Sequence, residues 1–190
     1  VQPTRTTKPV YSTADTNLPY GVLVKKEIGT SANNYVLVYR DTKQAAKPTV
    51  HFKPNFDHPA EMIKHNASYQ YANTNQAHVT TTIKRYRWRS TTAKHFYGYF
   101  GEKDGQLISR KSLVTVPRKT WLVVTQPQSK RLKKIGQQLK AQGIQKQKQM
   151  QAQLATLPTT ARAKIMAQHH QEPTPEQTVA KLKSALKSDK

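Results

Sequence analysis

Cysteine is absent from this 190-residue chain. That excludes a disulfide framework, a cysteine-ligated metal and a cysteine nucleophile. Acidic residues are scarce: 10 Asp and Glu stand against 32 Lys and Arg, a formal net charge of +22. Glycine, at 7 residues, is far below what a collagen-like chain needs. No stretch approaches the roughly 18 consecutive apolar residues of a membrane-spanning helix. No G-x-S-x-G, Walker loop or G-x-G-x-x-G occurs in the sequence. Carboxylates that could pair for acid–base hydrolysis are few, and Glu102 and Asp104 fall in an expected exposed turn. Nothing nominates a catalytic set, so the chain is read as a non-enzyme that needs no cofactor.

What the chain has is positive charge, and the charge is spread. Residues 1–57 carry +4, residues 58–128 carry +8 and residues 129–190 carry +10. The default partner of such a chain is an anionic polymer or surface: nucleic acid, teichoic acid, an acidic glycan or an anionic membrane. The sequence opens Val1-Gln2-Pro3 without Met. Together with the lack of Cys, this is read as the product of a removed secretory signal, although trimming of a longer sequence gives the same start.

Composition divides the chain into three zones. Residues 1–17 are rich in Thr, Pro and Lys without an apolar rhythm, and are expected to be a disordered leader or linker. Residues 18–126 hold both Trp, all four Phe and eight of the nine Tyr. Short β-branched and aromatic runs recur there at 20–24, 35–39, 50–52, 79–88, 96–100, 107–108 and 121–124, separated by turn-formers such as Lys47-Pro48, Asp57-His58-Pro59 and Asp104-Gly105. That spacing predicts a mainly β domain, a sandwich or small barrel of antiparallel strands. Residues 59–65, PAEMIKH, suit one short helical turn. Residues 127–190 lose the aromatics and become rich in Lys, Gln and Ala, a helical C-terminal tail. Leu132, Ile135 and Leu139 have helical spacing, with a change of register at Gly143 and a stop at Pro158. A last helix should start at Thr174-Pro175, with Gln177 closing a capping box and Val179, Leu182 and Leu186 on one face. These helices are too poor in large apolar groups to form a core by themselves, so docking on the β domain or another chain is expected.

The segment 79–116 carries the most information. Its aromatic run at 96–100 leads into Asp104-Gly105, a hairpin signal, with Gln106-Leu107-Ile108 returning antiparallel. Ser109 to Leu113 suits a single helical turn before a closing strand. This arrangement resembles the C-terminal half of bacterial SH3-like domains, in particular the GW-type modules of Gram-positive surface proteins. Gly105, Ile108, Lys111 and Leu113 stand where those modules close their barrel. The Gly-Trp dipeptide that names them does not occur. Residues 66–117 would be one such module, and residues 18–57, with the strands YGVLVKK and NYVLVYR, a divergent first one. The basic, Tyr-, Thr-, Gln- and Lys-rich composition is also similar to lactobacillar cell-surface proteins. The resemblance implies small SH3-like barrels and non-covalent attachment to teichoic or lipoteichoic acid.

Candidate binding residues follow from the charge clusters. On a strand, Lys84-Arg85-Tyr86-Arg87-Trp88-Arg89 would send Arg85, Arg87 and Arg89 to one side as a phosphate ladder, and Tyr86 and Trp88 into the core. Arg110 and Lys111 adjoin them in the expected hairpin. Arg118 and Lys119 lead towards Lys130, Arg131, Lys133 and Lys134, a basic amphipathic turn around Leu132 and Ile135. His51, His58 and His65 recur every seven residues near Asp57 and Glu61, with His78 and His95 following. Pro54 and Pro59 break the segment, so no metal site is read there. The reading is an exported, cell-wall-associated protein that holds anionic wall polymer on a basic β surface, the tail adding avidity or a partner contact. The alternative is a nucleic-acid-binding barrel with a basic tail, and a third class is an adhesin-like protein with a coiled-coil tail.

Overall fold

The β-branched runs fold as strands. In the computed structural model, residues 3–14, 18–29, 33–88, 90–97, 105–156, 158, 161 and 173–187 are described. Two units divide the chain, Val1–Val124 and Thr125–Lys190. The elements of the first are β1 (Pro3–Pro9), β2 (Gly21–Glu27), β3 (Tyr35–Tyr39), β4 (Thr49–His51), the short α1 (Pro59–Met62), β5 (His65–Ala72), β6 (His78–Arg85), α2 (Thr91–Tyr97), β7 (Leu107–Pro117) and β8 (Trp121–Thr125). The second holds α3 (Gln126–Ala155) and α4 (Pro175–Lys187). The protein is mainly β with helices at its C-terminal part, as the sequence predicts.

The strands form two four-stranded sheets, ordered β1-β6-β7-β5 and β4-β3-β2-β8, rather than a closed barrel. β7 is the reason that the first sheet is mixed. It pairs antiparallel with β6 through Thr82↔Lys111 and Thr80↔Leu113, and parallel with β5 through Asn66↔Lys111 and Ser68↔Leu113. The inner faces meet over Leu23, Leu37 and Tyr39 from one sheet and Val79, Val114 and Val116 from the other, joined by Val10 and Ala77. Burial of such side chains contributes about 1.5–3 kcal/mol each. Tyr35, Phe52, Tyr69, Tyr71, Trp121 and Val123 pack around this core, half-buried.

Three expectations are corrected. Residues 1–17 are not simply a disordered leader, because Pro3–Pro9 is a strand paired residue for residue with β6. Every residue of it is exposed, so it has no apolar rhythm to betray it. Val10 then drops into the core, and residues 11–14 lash onto the second sheet. Tyr11 and Arg40 exchange backbone hydrogen bonds of 3.0 Å, and the Thr13 hydroxyl donates to the Val38 carbonyl at 2.6 Å. Next, the expected strand at 96–100 is overturned at Phe96 and Tyr97 by α2, which starts after Ser90; the Ser90 hydroxyl accepts the Ala93 N–H at 3.1 Å. A capped helix start here outweighs aromatic β-propensity. Residues 98–104 lie outside the described residues. The third correction concerns Ser109 to Leu113, which is no helical turn but the middle of β7. Its inner face accepts a serine there because Ser112 bonds the Thr81 hydroxyl at 3.1 Å. α3 runs unbroken past Gly136 and Gly143 and ends at Ala155, shortly before Pro158; a glycine costs only about 1 kcal/mol in a helix.

α3 and α4 both start in capping boxes, the second at the Thr174 that the sequence nominates. Thr125 and Gln128 bond each other's backbone at the head of α3, and Thr174 and Gln177 do so at the head of α4. α3 and α4 touch, and Val179 and Leu182 are buried. No helix among the described residues is long and apolar enough to cross a membrane.

Candidate polyanion-binding surface

The first sheet lacks negative charge altogether. Its strands β1, β5, β6 and β7 contain no Asp or Glu, while they carry Arg5, Lys8, Lys84, Arg85, Arg110 and Lys111. Register decides which of these share a face. Thr82 lies between Arg5 on β1 and Lys111 on β7, so all three point to one side. Lys84, two residues along β6, points the same way. Arg5, Lys84 and Lys111 are exposed. This face is the one turned away from Val79 and Val114. Around the cations it presents Thr7, Thr80, Ser109, Asn66, Ser68 and Gln70, with the half-buried Leu113 between Thr80 and Ser68, and Thr7 and Thr80 bring their hydroxyls to 3.3 Å.

Several residues singled out from the sequence part company here. Arg110 and Lys111 are neighbours on a strand and therefore face opposite ways. Arg110 lies in the row of Ile83 and His65, and its charge reaches Tyr39. The expected Arg85, Arg87 and Arg89 ladder is not formed. β6 ends at Arg85 with a bulge between Lys84 and Arg85. The Arg85 guanidinium donates to the Gly105 carbonyl at 2.9 Å. Arg87 is exposed beyond the strand, and Arg89 lies outside the described residues. Tyr86 and Trp88 are not core either, for Tyr86 is 37% exposed and neither belongs to the central cluster. Arg118 and Lys119 form the exposed turn between β7 and β8, where the Arg118 N–H donates to the Ala72 carbonyl at 3.0 Å.

In the second unit, Lys130, Arg131, Lys133 and Lys134 are all exposed in the first turns of α3. That helix contains no acidic residue. Cations at a helix start oppose the macrodipole, so this cluster is held at a cost in helix stability.

Sequence reasoning missed Arg5 and Lys8 because it assigned them to a leader. It also passed over Lys25, whose ammonium donates to the Tyr69 hydroxyl at 2.8 Å and lies 5.1 and 4.9 Å from the Tyr35 and Tyr69 ring centres. Partial burial alone would lower its pKa, but the Tyr69 bond and the charges of Tyr69, Tyr35 and Glu27 outweigh it, and the pKa rises. Lys25 thus ties the two sheets together and is already engaged. The histidines do not converge. His51 stacks on Tyr39, His58 precedes α1, and His65 and His78 open β5 and β6. Among the described residues no three His, Cys, Asp or Glu gather as metal ligands.

Residues 1–132 match the family described as Domain of unknown function (DUF4811). The chain belongs to the DUF4811 family. The DUF4811 match spans both sheets and the first turns of α3, so it takes in Arg5, Lys84, Lys111, Lys130 and Arg131 and stops short of Lys133 and Lys134. No curated protein and no solved structure matches the chain.

Proposed function

We propose that this DUF4811 protein is an exported, cell-wall-associated binding protein that holds a teichoic or lipoteichoic acid chain. The acid-free sheet is the primary grip, and the basic start of α3 adds a second contact. The observation carrying this reading is the sheet that bears six Lys and Arg and no carboxylate across four strands. With no internal counter-charge, such a sheet draws its counter-ions from outside. Its outer face offers mainly hydroxyls and amides around the cations, with Leu113 among them and no Tyr, Phe or Trp. That suits a polyol phosphate, whereas single-stranded nucleic acid is usually held with aromatic stacking platforms. Each contact is weak and screened by salt, and retention comes from several made at once.

The test is co-sedimentation of the purified chain with Gram-positive walls before and after teichoic acid extraction, across a salt series and with duplex DNA as competitor. Binding that disappears on extraction and resists DNA agrees with the proposal. Unchanged binding to extracted walls would move the ligand to peptidoglycan, and preferential capture by DNA would replace the reading with the nucleic-acid one.

A further inference from the structure

β1 is a strand that brings nothing to the core. All seven of its residues are exposed, and the chain enters the core only afterwards, at Val10. Among the described residues its side chains make one hydroxyl contact, Thr7 to Thr80. What β1 adds to the molecule is therefore its ladder on β6 and two cations. Arg5 sits beside Thr82, with Lys111 on the far side of Thr82 and Lys84 diagonal to both. Adjacent strands are about 4.8 Å apart, and residues two apart along a strand are separated by about 6.8 Å. The three cations therefore stand on a triangle with sides of about 8–10 Å, within reach of one another's long side chains. Like charges so placed destabilise a sheet unless something neutralises them, and the four strands hold no carboxylate to do so.

We infer that Arg5, Lys84 and Lys111 form one three-cation site for a phosphodiester of the anionic chain, with the Thr82 hydroxyl beneath it, and that the bound phosphate clamps β1 to the sheet. The inference rests on the polyanion reading above and gives it an address. Because β1 supplies a third of the site, binding and docking of β1 are linked, and each strengthens the other.

Deacylated lipoteichoic acid, a poly(glycerol phosphate), is the probe, titrated into the full chain. Arg5→Gln, Lys84→Gln and Lys111→Gln each weaken binding by about fivefold. Lys26→Gln, an exposed lysine on the other sheet, changes it by less than about twofold. Amide exchange at residues 4–8 slows on adding the polymer to the wild type, and does so much less in Lys111→Gln, which leaves β1 itself unaltered. The Arg5 variant is sound as a folded protein because β1 buries no side chain, and an unchanged thermal melt checks this. If the polymer binds all three variants as it binds the wild type, or if exchange in β1 does not respond, the site is wrong while the polyanion reading stands. If the wild type does not bind the polymer at all, the broader reading falls and takes the site with it.

Discussion

The Trp121 indole lies against the backbone of Gly21, so that a Cβ built on the glycine would collide with the ring. The two residues begin neighbouring strands, and the Gly21 N–H donates to the Thr120 carbonyl at 2.9 Å. A methyl group there must push a half-buried Trp off the edge of the core. Gly21→Ala should destabilise the first unit by about 1–3 kcal/mol, the usual range for overpacking. Chemical denaturation of both chains measures it, and a shift below about 0.5 kcal/mol would show that the ring moves aside freely.

A second prediction concerns His51. Its ring stacks on Tyr39 at 3.8 Å, and Nε2 lies 3.4 Å from Asp41. Burial lowers its pKa below the usual 6.5, against the opposing pull of Asp41 and a backbone bond to Tyr39. Arg110 on β7 acts on Tyr39, the ring on which His51 stacks. The unfolded chain therefore takes up a proton more readily than the folded one. The His51 contribution to stability is full above about pH 7 and declines as the pH falls through about 6.5 and below it. His51→Gln should flatten that decline, and melting curves between about pH 5 and 8 would read it. An equal slope in both chains would place the acid sensitivity elsewhere.

Thr125 ends β8 and caps α3, its hydroxyl accepting the Gln128 N–H at 3.5 Å while Gln128 accepts the Thr125 N–H at 2.9 Å. Thr125→Ala removes half of that box and should cost about 1 kcal/mol. The loss should appear as a lower thermal midpoint in the helical circular dichroism signal. Retention of the wild-type midpoint would mean that α3 does not depend on its cap.

Salt should weaken polymer binding in a countable way. The logarithm of affinity falls with the logarithm of salt concentration by about 0.7–0.9 for each phosphate neutralised. Arg5→Gln should therefore reduce the magnitude of the slope by about that amount. The double variant Arg85→Gln with Arg87→Gln should change it less, since Arg85 is committed to the Gly105 carbonyl. A larger effect from the double variant would return the grip to the segment after β6.

Much of the fold is written in short patterns. The run at 35–39 is β3 as it stands, and Thr174-Pro175 opens α4 where its capping signal lies. These succeed because apolar periodicity and capping are local. β1 and β5 are harder to see. β1 pairs mainly through its backbone and buries no side chain, and β5 mixes Tyr with Asn, Ser and Gln because one face packs on the core while the other carries polar groups. The candidate site was half visible for the same reason. Lys84 and Lys111 belong to conspicuous clusters, but their convergence with Arg5 depends on pairing between distant segments. Charge density alone pointed to Arg87 and Arg110, which the strand end and the alternation of side chains send elsewhere.

The pairing of β1 with β6 also has a consequence in time. The first strand of the sequence takes its place beside residues 78–84, far along the chain. During synthesis it must wait, unpaired, until its partner has emerged, and closing so large a loop is slow. An apolar strand left waiting would invite aggregation, whereas Thr, Arg and Lys between two prolines stay solvated and resist stray pairing. The composition that conceals β1 from pattern reading is thus the composition that lets it remain idle safely until the sheet is ready.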